Sequence, residues 1–124
     1  MAIVGLGTDI VELARFEAMS EVAQQRLAKR VLTPNELVIF AQHSRPARYL
    51  AKRFAVKEAA SKALGTGIGH GISFQHFECT NNALGAPQLQ FSAEAKQRLP
   101  QDAKVWVSIS DEKHYAVATV IIDA

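Results

Sequence analysis

The chain opens on a short apolar run, residues 3–10, interrupted by Gly5 and Gly7. Such a run predicts a strand whose glycines permit close backbone approach, with Asp9 at its end. Residues 11–20 and 21–31 read as two helices, the first of them short. Thr33-Pro34-Asn35-Glu36 spells a helix start: Thr33 caps, Pro34 suits the first helical position, and Glu36 completes a capping box. That helix is predicted to end near Gln42. Ser44-Arg45-Pro46 opens a longer one reaching Leu64, with Gly65 where a left-handed C-terminal cap belongs. Leu50, Phe54, Ala55, Ala59, Ala63 and Leu64 predict a core-facing stripe along it.

Beyond Gly65 the pattern changes. Gly65, Gly67, Gly69 and Gly71 alternate with Thr66, Ile68 and His70, which carries neither a helical nor a strand period and predicts a loop. Residues 72–74 and 77–80 are short strand candidates, Asn81-Asn82 and Gly85-Ala86-Pro87 are turn signals, and residues 88–91 read as a strand. Ser92 is placed to cap a helix over residues 92–99. Residues 105–110 and 115–122 give the clearest strands, joined by a hairpin. Helices cluster early and strands late. The predicted fold class is α+β, an antiparallel sheet packed with helices around one long central helix.

Composition adds little to this picture. A length of 124 residues fits a single domain over 1–124, and 48% hydrophobic with 21% charged residues is ordinary for a globular protein. A formal net charge of +2 does not argue for a nucleic-acid partner. The single cysteine, Cys79, excludes an intrachain disulfide and reads as a small strand residue. The first residues do not read as a signal peptide, and no apolar run approaches the ~20 residues that span a bilayer. No membrane association is expected, and the expected location is the cytoplasm.

Candidate chemistry centres on the long helix. Glu58 and Lys62 stand four apart and share a face; by spacing alone they read as a surface ion pair worth about 0.3–0.5 kcal/mol. The helix also carries Arg48, Lys52, Arg53 and Lys57, so five cations face one acid. A solvated basic face accounts for that, and so does a site that gathers phosphates. The glycine loop follows, where backbone N–H groups are able to approach a phosphate. It is not a P-loop, for it lacks the Gly-Lys-Ser/Thr ending and follows a helix. Asp9 reads in isolation as a cap or turn aspartate. Asp9 and Glu58 are also candidates for a magnesium site, which takes one or two carboxylates plus phosphates and water.

Gly5-Leu6-Gly7-Thr8-Asp9-Ile10-Val11-Glu12 resembles the opening motif of the holo-acyl-carrier-protein synthase family, a short class of 4′-phosphopantetheinyl transferases. Residues 53–63, Arg-Phe-Ala-Val-Lys-Glu-Ala-Ala-Ser-Lys-Ala, resemble its second motif, which Gly65-Thr66-Gly67-Ile68 continues. The resemblance extends through Val107-Ser108-Ile109-Ser110 and residues 114–118. It implies transfer of 4′-phosphopantetheine from coenzyme A to a serine of an apo-acyl carrier protein, with release of adenosine 3′,5′-bisphosphate, in support of fatty acid biosynthesis. It further implies Asp9 and Glu58 as Mg²⁺ ligands and Lys62 beside the pyrophosphate. Arg53 is expected on coenzyme A phosphates, and Gly65 and Thr66 on the nucleotide pocket through their backbone. The base for the carrier serine is left between Glu58 and a metal-bound water. Many relatives place a nucleotide-contacting histidine where this chain has Asp111; that role is not carried over, since an aspartate repels phosphate.

The resemblance implies a carrier with an acidic helix, received by Arg15 on the first helix. Arg26, Lys29 and Arg30 are plausible additions, or equally solvated charges. It also implies a homotrimer with active sites at subunit boundaries. Two other classes of function compete with the enzyme: a non-catalytic coenzyme A or nucleotide-binding module, and an adaptor that only docks acidic proteins. Neither needs Asp9, Glu58 and Lys62 together.

Overall fold

The computed structural model describes residues 1–124. Its elements run β1 (Ile3–Glu12), α1 (Leu13–Glu17), α2 (Glu21–Val31), α3 (Pro34–Gln42), α4 (Pro46–Ala63), a 3₁₀ turn (Phe74–His76), β2 (Phe77–Asn81), β3 (Pro87–Phe91), α5 (Ala93–Gln97), β4 (Lys104–Asp111) and β5 (Tyr115–Asp123). The α+β class and the long helix α4 stand as expected. The strands form two antiparallel sheets rather than one: β1-β5-β4, and a separate β2-β3 hairpin.

Helix caps explain most boundaries. Thr33 accepts from the Glu36 N–H while the Glu36 carboxylate accepts from the Thr33 N–H, so the predicted capping box closes. Gly65 terminates α4 at φ +82, the left-handed region that a side chain disfavours. Other boundaries differ from expectation. Val11 and Glu12 belong to β1, because they pair with Ala116 and Tyr115 of β5 and the ladder continues past Asp9. Residues 72–74 form no strand; Phe74 begins the 3₁₀ turn. Ser92 caps no N–H with its side chain; its hydroxyl donates to the His76 carbonyl instead.

Helix α4 is the axis of the molecule, with β1 and β5 laid along it. Its burial is not a stripe. Eleven of its residues are buried, among them Arg53, Lys57 and Ser61, so the helix is enclosed on several sides. One cluster of 25 buried residues joins α4 to Val11, Ala116, Ala118, Val120 and Ile122 of the sheet and to Phe77 and Phe91 of the hairpin.

Two glycines set how closely β1 lies on α4. A Cβ on Gly7 would stand 2.0 Å from the Ala59 carbonyl oxygen, and one on Gly5 would stand 2.2 Å from that of Ala63. Both obstacles are helix backbone and cannot rotate away. Gly7→Ala is therefore expected to destabilise the protein by at least about 1–3 kcal/mol, the usual range for overpacking. Urea denaturation at fixed protein concentration checks it; an unchanged midpoint would show that the strand lifts freely.

No helix is long and apolar enough to cross a membrane.

Candidate active site

Alternation along β1 places Gly5, Gly7, Asp9 and Val11 on the face turned to α4. The two glycines bring the strand against the helix, and Asp9 follows on the same face where Glu58 and Lys62 project. Lys62 Nζ donates to Asp9 Oδ1 at 3.1 Å and to the Thr8 carbonyl at 3.0 Å. The ion pair that spacing suggested between Glu58 and Lys62 is not what forms; the lysine crosses to β1. Burial, then the Asp9 charge, push the Glu58 carboxyl above its ordinary range, and Lys62 offsets part of this. Two carboxylates and one ammonium thus meet from elements about fifty residues apart in sequence.

Asp9 and Glu58 share the wall of a cavity of about 450 Å³, whose lining also includes Arg15, Phe16, Met19 and Phe54. The apolar side of this cavity was missed in the sequence. The available signal was Phe54, four residues before Glu58 and so on the same helix side. Phe16 and Phe54 meet edge to face there, with centroids 5.6 Å apart.

The donor set suits a hard cation. Two carboxylates, one held above its ordinary range by burial and then by the other's charge, would be relieved by a divalent ion, and oxygen ligands are what Mg²⁺ takes. No group of three or more His, Cys, Asp or Glu side chains is arranged for a metal, so a site here would take its remaining ligands from substrate or water.

The other cations of α4 do not join this site. Lys57 is fully buried, donating to the Val31 carbonyl and to the Glu36 carboxylate. Burial pulls its ammonium below the ordinary lysine range, and Glu36 opposes that pull. Arg48 donates to Asp111 Oδ2 at 2.8 Å, and Lys52 Nζ lies 3.8 Å from Asp111 Oδ1. Arg48 holds the Asp111 carboxyl below its usual range. The phosphate-gathering basic helix and the solvated basic face are both corrected: these cations answer to partners on separate elements.

Arg53 likewise has partners away from the carboxylates. Its side chain lies nine residues, two and a half turns, from Lys62 and hence on the opposite side of α4. It is 4% exposed, donates to Asn81 Oδ1 at 2.7 Å and covers the Tyr49 ring at 4.8 Å. It is not offered to a phosphate held by Asp9 and Glu58.

Part of the glycine loop's backbone is engaged by the helix end. The Gly65 N–H donates to the Lys62 carbonyl at 2.9 Å, and those of Thr66 and Gly67 donate to the Ser61 carbonyl at 3.2 and 3.1 Å. Gly65 and Thr66 therefore close the helix end with the N–H groups expected to meet a phosphate. Both are thereby bonded to the last turn of α4, the turn that carries Lys62.

Arg15 stands in the wall of the carboxylate cavity. Arg26 and Lys29 line a shallow depression on α2 with the apolar Val22. Arg30 lies apart from it, its guanidinium 6.0 Å from the centroid of the Phe74 ring.

The sequence profile of the family described as the 4′-phosphopantetheinyl transferase superfamily matches residues 5–120. The chain belongs to that superfamily. Within it, this transferase is 62% identical over 130 residues to a holo-[acyl-carrier-protein] synthase of Shewanella piezotolerans, covering 98% of this chain and 99% of the relative. It is similar in structure to the Neisseria meningitidis holo-[acyl-carrier-protein] synthase, at 40% identity and a TM-score of 0.86, over 99% of this chain and 100% of the other. A Bacillus anthracis synthase, solved in complex with CoA (3′,5′-ADP), matches at 41% identity and a TM-score of 0.80, over 97% and 96%. The chain is an enzyme of the phosphopantetheinyl transferase family, of the holo-[acyl-carrier-protein] synthase kind.

Proposed function

We propose that residues 1–124 act as one domain that moves the 4′-phosphopantetheine group from coenzyme A to a serine of an apo-acyl carrier protein. The reaction requires Mg²⁺, releases adenosine 3′,5′-bisphosphate and serves fatty acid biosynthesis in the cytoplasm. The observation that carries this reading is the meeting of Asp9 and Glu58 at one cavity, with Lys62 bonded to Asp9.

Asp9 and Glu58 are the residues that would hold the metal. When bound, Mg²⁺ offsets pyrophosphate charge and orients the attacked phosphate. The serine oxygen forms a bond to the β-phosphorus, and the bond from that phosphorus to the bridging oxygen breaks. Lys62 lies beside Asp9, where its ammonium stabilises the charge that gathers on the leaving 5′-phosphate. Glu58, with its carboxyl above the ordinary range, is suited to accept the serine proton. The apolar wall of Phe16 and Phe54 screens that exchange from water.

Arg15, at the cavity, and Arg26 and Lys29, around Val22, are placed to receive an acidic helix of the carrier; Arg30 is a weaker candidate because of its seat over Phe74. A homotrimer with sites at subunit boundaries is supported by the sheet face away from α4. Leu6, Ile10 and Trp106 are 63%, 62% and 58% exposed, and Leu6, Ile121 and Trp106 stand in one row across β1, β5 and β4. Sedimentation equilibrium reading the mass of one chain at assay concentration would overturn the trimer.

Purified protein incubated with apo-carrier, coenzyme A and Mg²⁺ is expected to add a phosphopantetheine-sized mass to the carrier. No mass gain sinks the proposal. Raised ionic strength is expected to increase KM for the carrier more than KM for coenzyme A, because steering by exposed cations is screened. Equal insensitivity of both constants would remove the basic docking face.

A further inference from the structure

The glycine loop, residues 65–71, is held at two ends. Its root is the Ser61 carbonyl, which takes the N–H groups of Thr66 and Gly67. That same Ser61 directs its hydroxyl to the Glu58 carbonyl at 2.7 Å, so the root is continuous with the helical turn that carries Glu58 and Lys62. The tip is a small hairpin. Gly69 and Ile72 exchange both backbone bonds, at 2.8 and 2.9 Å, across His70 and Gly71. Its two central residues have φ of +55 and +85, the pattern of a type I′ turn. His70 is not a glycine, so the turn carries a residue in a conformation its side chain disfavours. Such a turn persists where its surroundings hold it.

One side chain from outside α4 and the loop supplies that hold. Arg98 Nη2 donates to the His70 carbonyl at 2.7 Å. Arg98 closes α5, and α5 is itself fixed. Ala95 is fully buried, Glu94 Oε2 lies 3.1 Å from His76 Nε2, and the Ser92 N–H donates to the His76 carbonyl. The guanidinium is thus a strut from a braced platform to the loop tip, 28 positions away in sequence.

We infer that Arg98 is a positioning residue for coenzyme A: it fixes the tip of the loop rooted on the turn that carries Glu58 and Lys62, and so sets affinity for the nucleotide end of the substrate. This rests on the proposed transferase reading, with the nucleotide set against Gly65 and Thr66 as the family resemblance implies. Arg98 touches none of the reacting groups. Its removal therefore acts on coenzyme A binding, not on the phosphoryl step or on carrier docking.

The experiment compares Arg98→Met, which keeps the aliphatic stem, and Arg98→Lys, which keeps a cationic donor, with the unaltered protein in the transfer assay. Arg98→Met is expected to raise KM for coenzyme A about three- to tenfold, the range for the net loss of one ordinary hydrogen bond, as suits an exposed donor. The turnover number and KM for the carrier are expected to stay within about twofold, and Arg98→Lys to recover part of the loss. Amide hydrogen exchange in residues 65–71 is expected to quicken in Arg98→Met. An unchanged KM for coenzyme A overturns the inference. So does a fall in turnover, carrier affinity and thermal midpoint together, which marks a merely structural residue. Absence of transfer by the unaltered protein strikes the functional reading itself.

Discussion

Asp9→Ala is expected to lower phosphopantetheine transfer at least about a hundredfold at saturating coenzyme A and Mg²⁺, the scale seen when a group that stabilises transition-state charge is removed. The variant should still fold, since Asp9 is only partly buried and its one side-chain partner is Lys62. Two local changes accompany the lost ligand. Lys62 is released from its ion pair, and Glu58 loses the neighbouring charge that helps hold its carboxyl high. The loss of one carboxylate ligand and the unpaired Lys62 ammonium leave the site less suited to a divalent cation, although Glu58 ionises more readily. Added Mn²⁺ or higher Mg²⁺ is expected to recover part of the activity, while Asp9→Asn, which keeps shape but not charge, is expected to behave like the alanine. Steady-state transfer across a metal titration measures this. Activity within about fivefold of normal at ordinary Mg²⁺ would remove Asp9 from the metal site.

Glu36→Leu is expected to destabilise the protein by about 3–5 kcal/mol, the range for stranding one member of a buried ion pair. A typical total stability is only about 5–15 kcal/mol. Glu36 is fully buried and its carboxylate accepts from three groups: the Lys57 ammonium, the Thr33 N–H that closes the cap of α3, and the Cys79 N–H at 2.8 Å. Leucine leaves Lys57 charged in an apolar enclosure. The double variant Glu36→Leu/Lys57→Met removes that stranded charge and is expected to recover more than half of the loss. The pH dependence has a definite sign. A lysine whose folded-state pKa is depressed binds more protons unfolded, so stability rises with pH until the unfolded value of about 10.4 is reached. Glu36 limits this depression, so the single variant should gain more stability between neutral pH and pH 10 than the unaltered protein does. Urea denaturation at fixed protein concentration tests both statements, and a loss under about 1 kcal/mol would show that water reaches Lys57.

What the sequence made legible was local. Caps did this well: Thr33 to Glu36, and Gly65 with its left-handed backbone, mark helix ends through bonds made within a few residues. The β4–β5 hairpin was plain for the same reason. Failures came where a distant partner decides. The end of β1 depends on Tyr115 and Ala116 across the ladder. The cations of α4 looked like one population because they share a helix, yet Glu36, Asn81, Asp111 and Asp9 divide them. Glu58 and Lys62 were found correctly as a same-face pair, but the partner of Lys62 lies on the first strand. The glycine pattern marks the loop, while the use of the Gly65, Thr66 and Gly67 N–H groups by the helix end carries no sequence signal.

The seam between β1 and α4 also bears on how the chain finds its fold. Sliding β1 by one residue would turn Leu6 and Thr8 toward the helix in place of Gly5 and Gly7, since side chains alternate along a strand. The space there does not admit even a methyl group. A misregistered strand is therefore rejected by collision with helix backbone rather than by a small loss of hydrophobic contact. The two glycines act as a register check during assembly, and a chain that passes it has delivered Asp9 to Lys62.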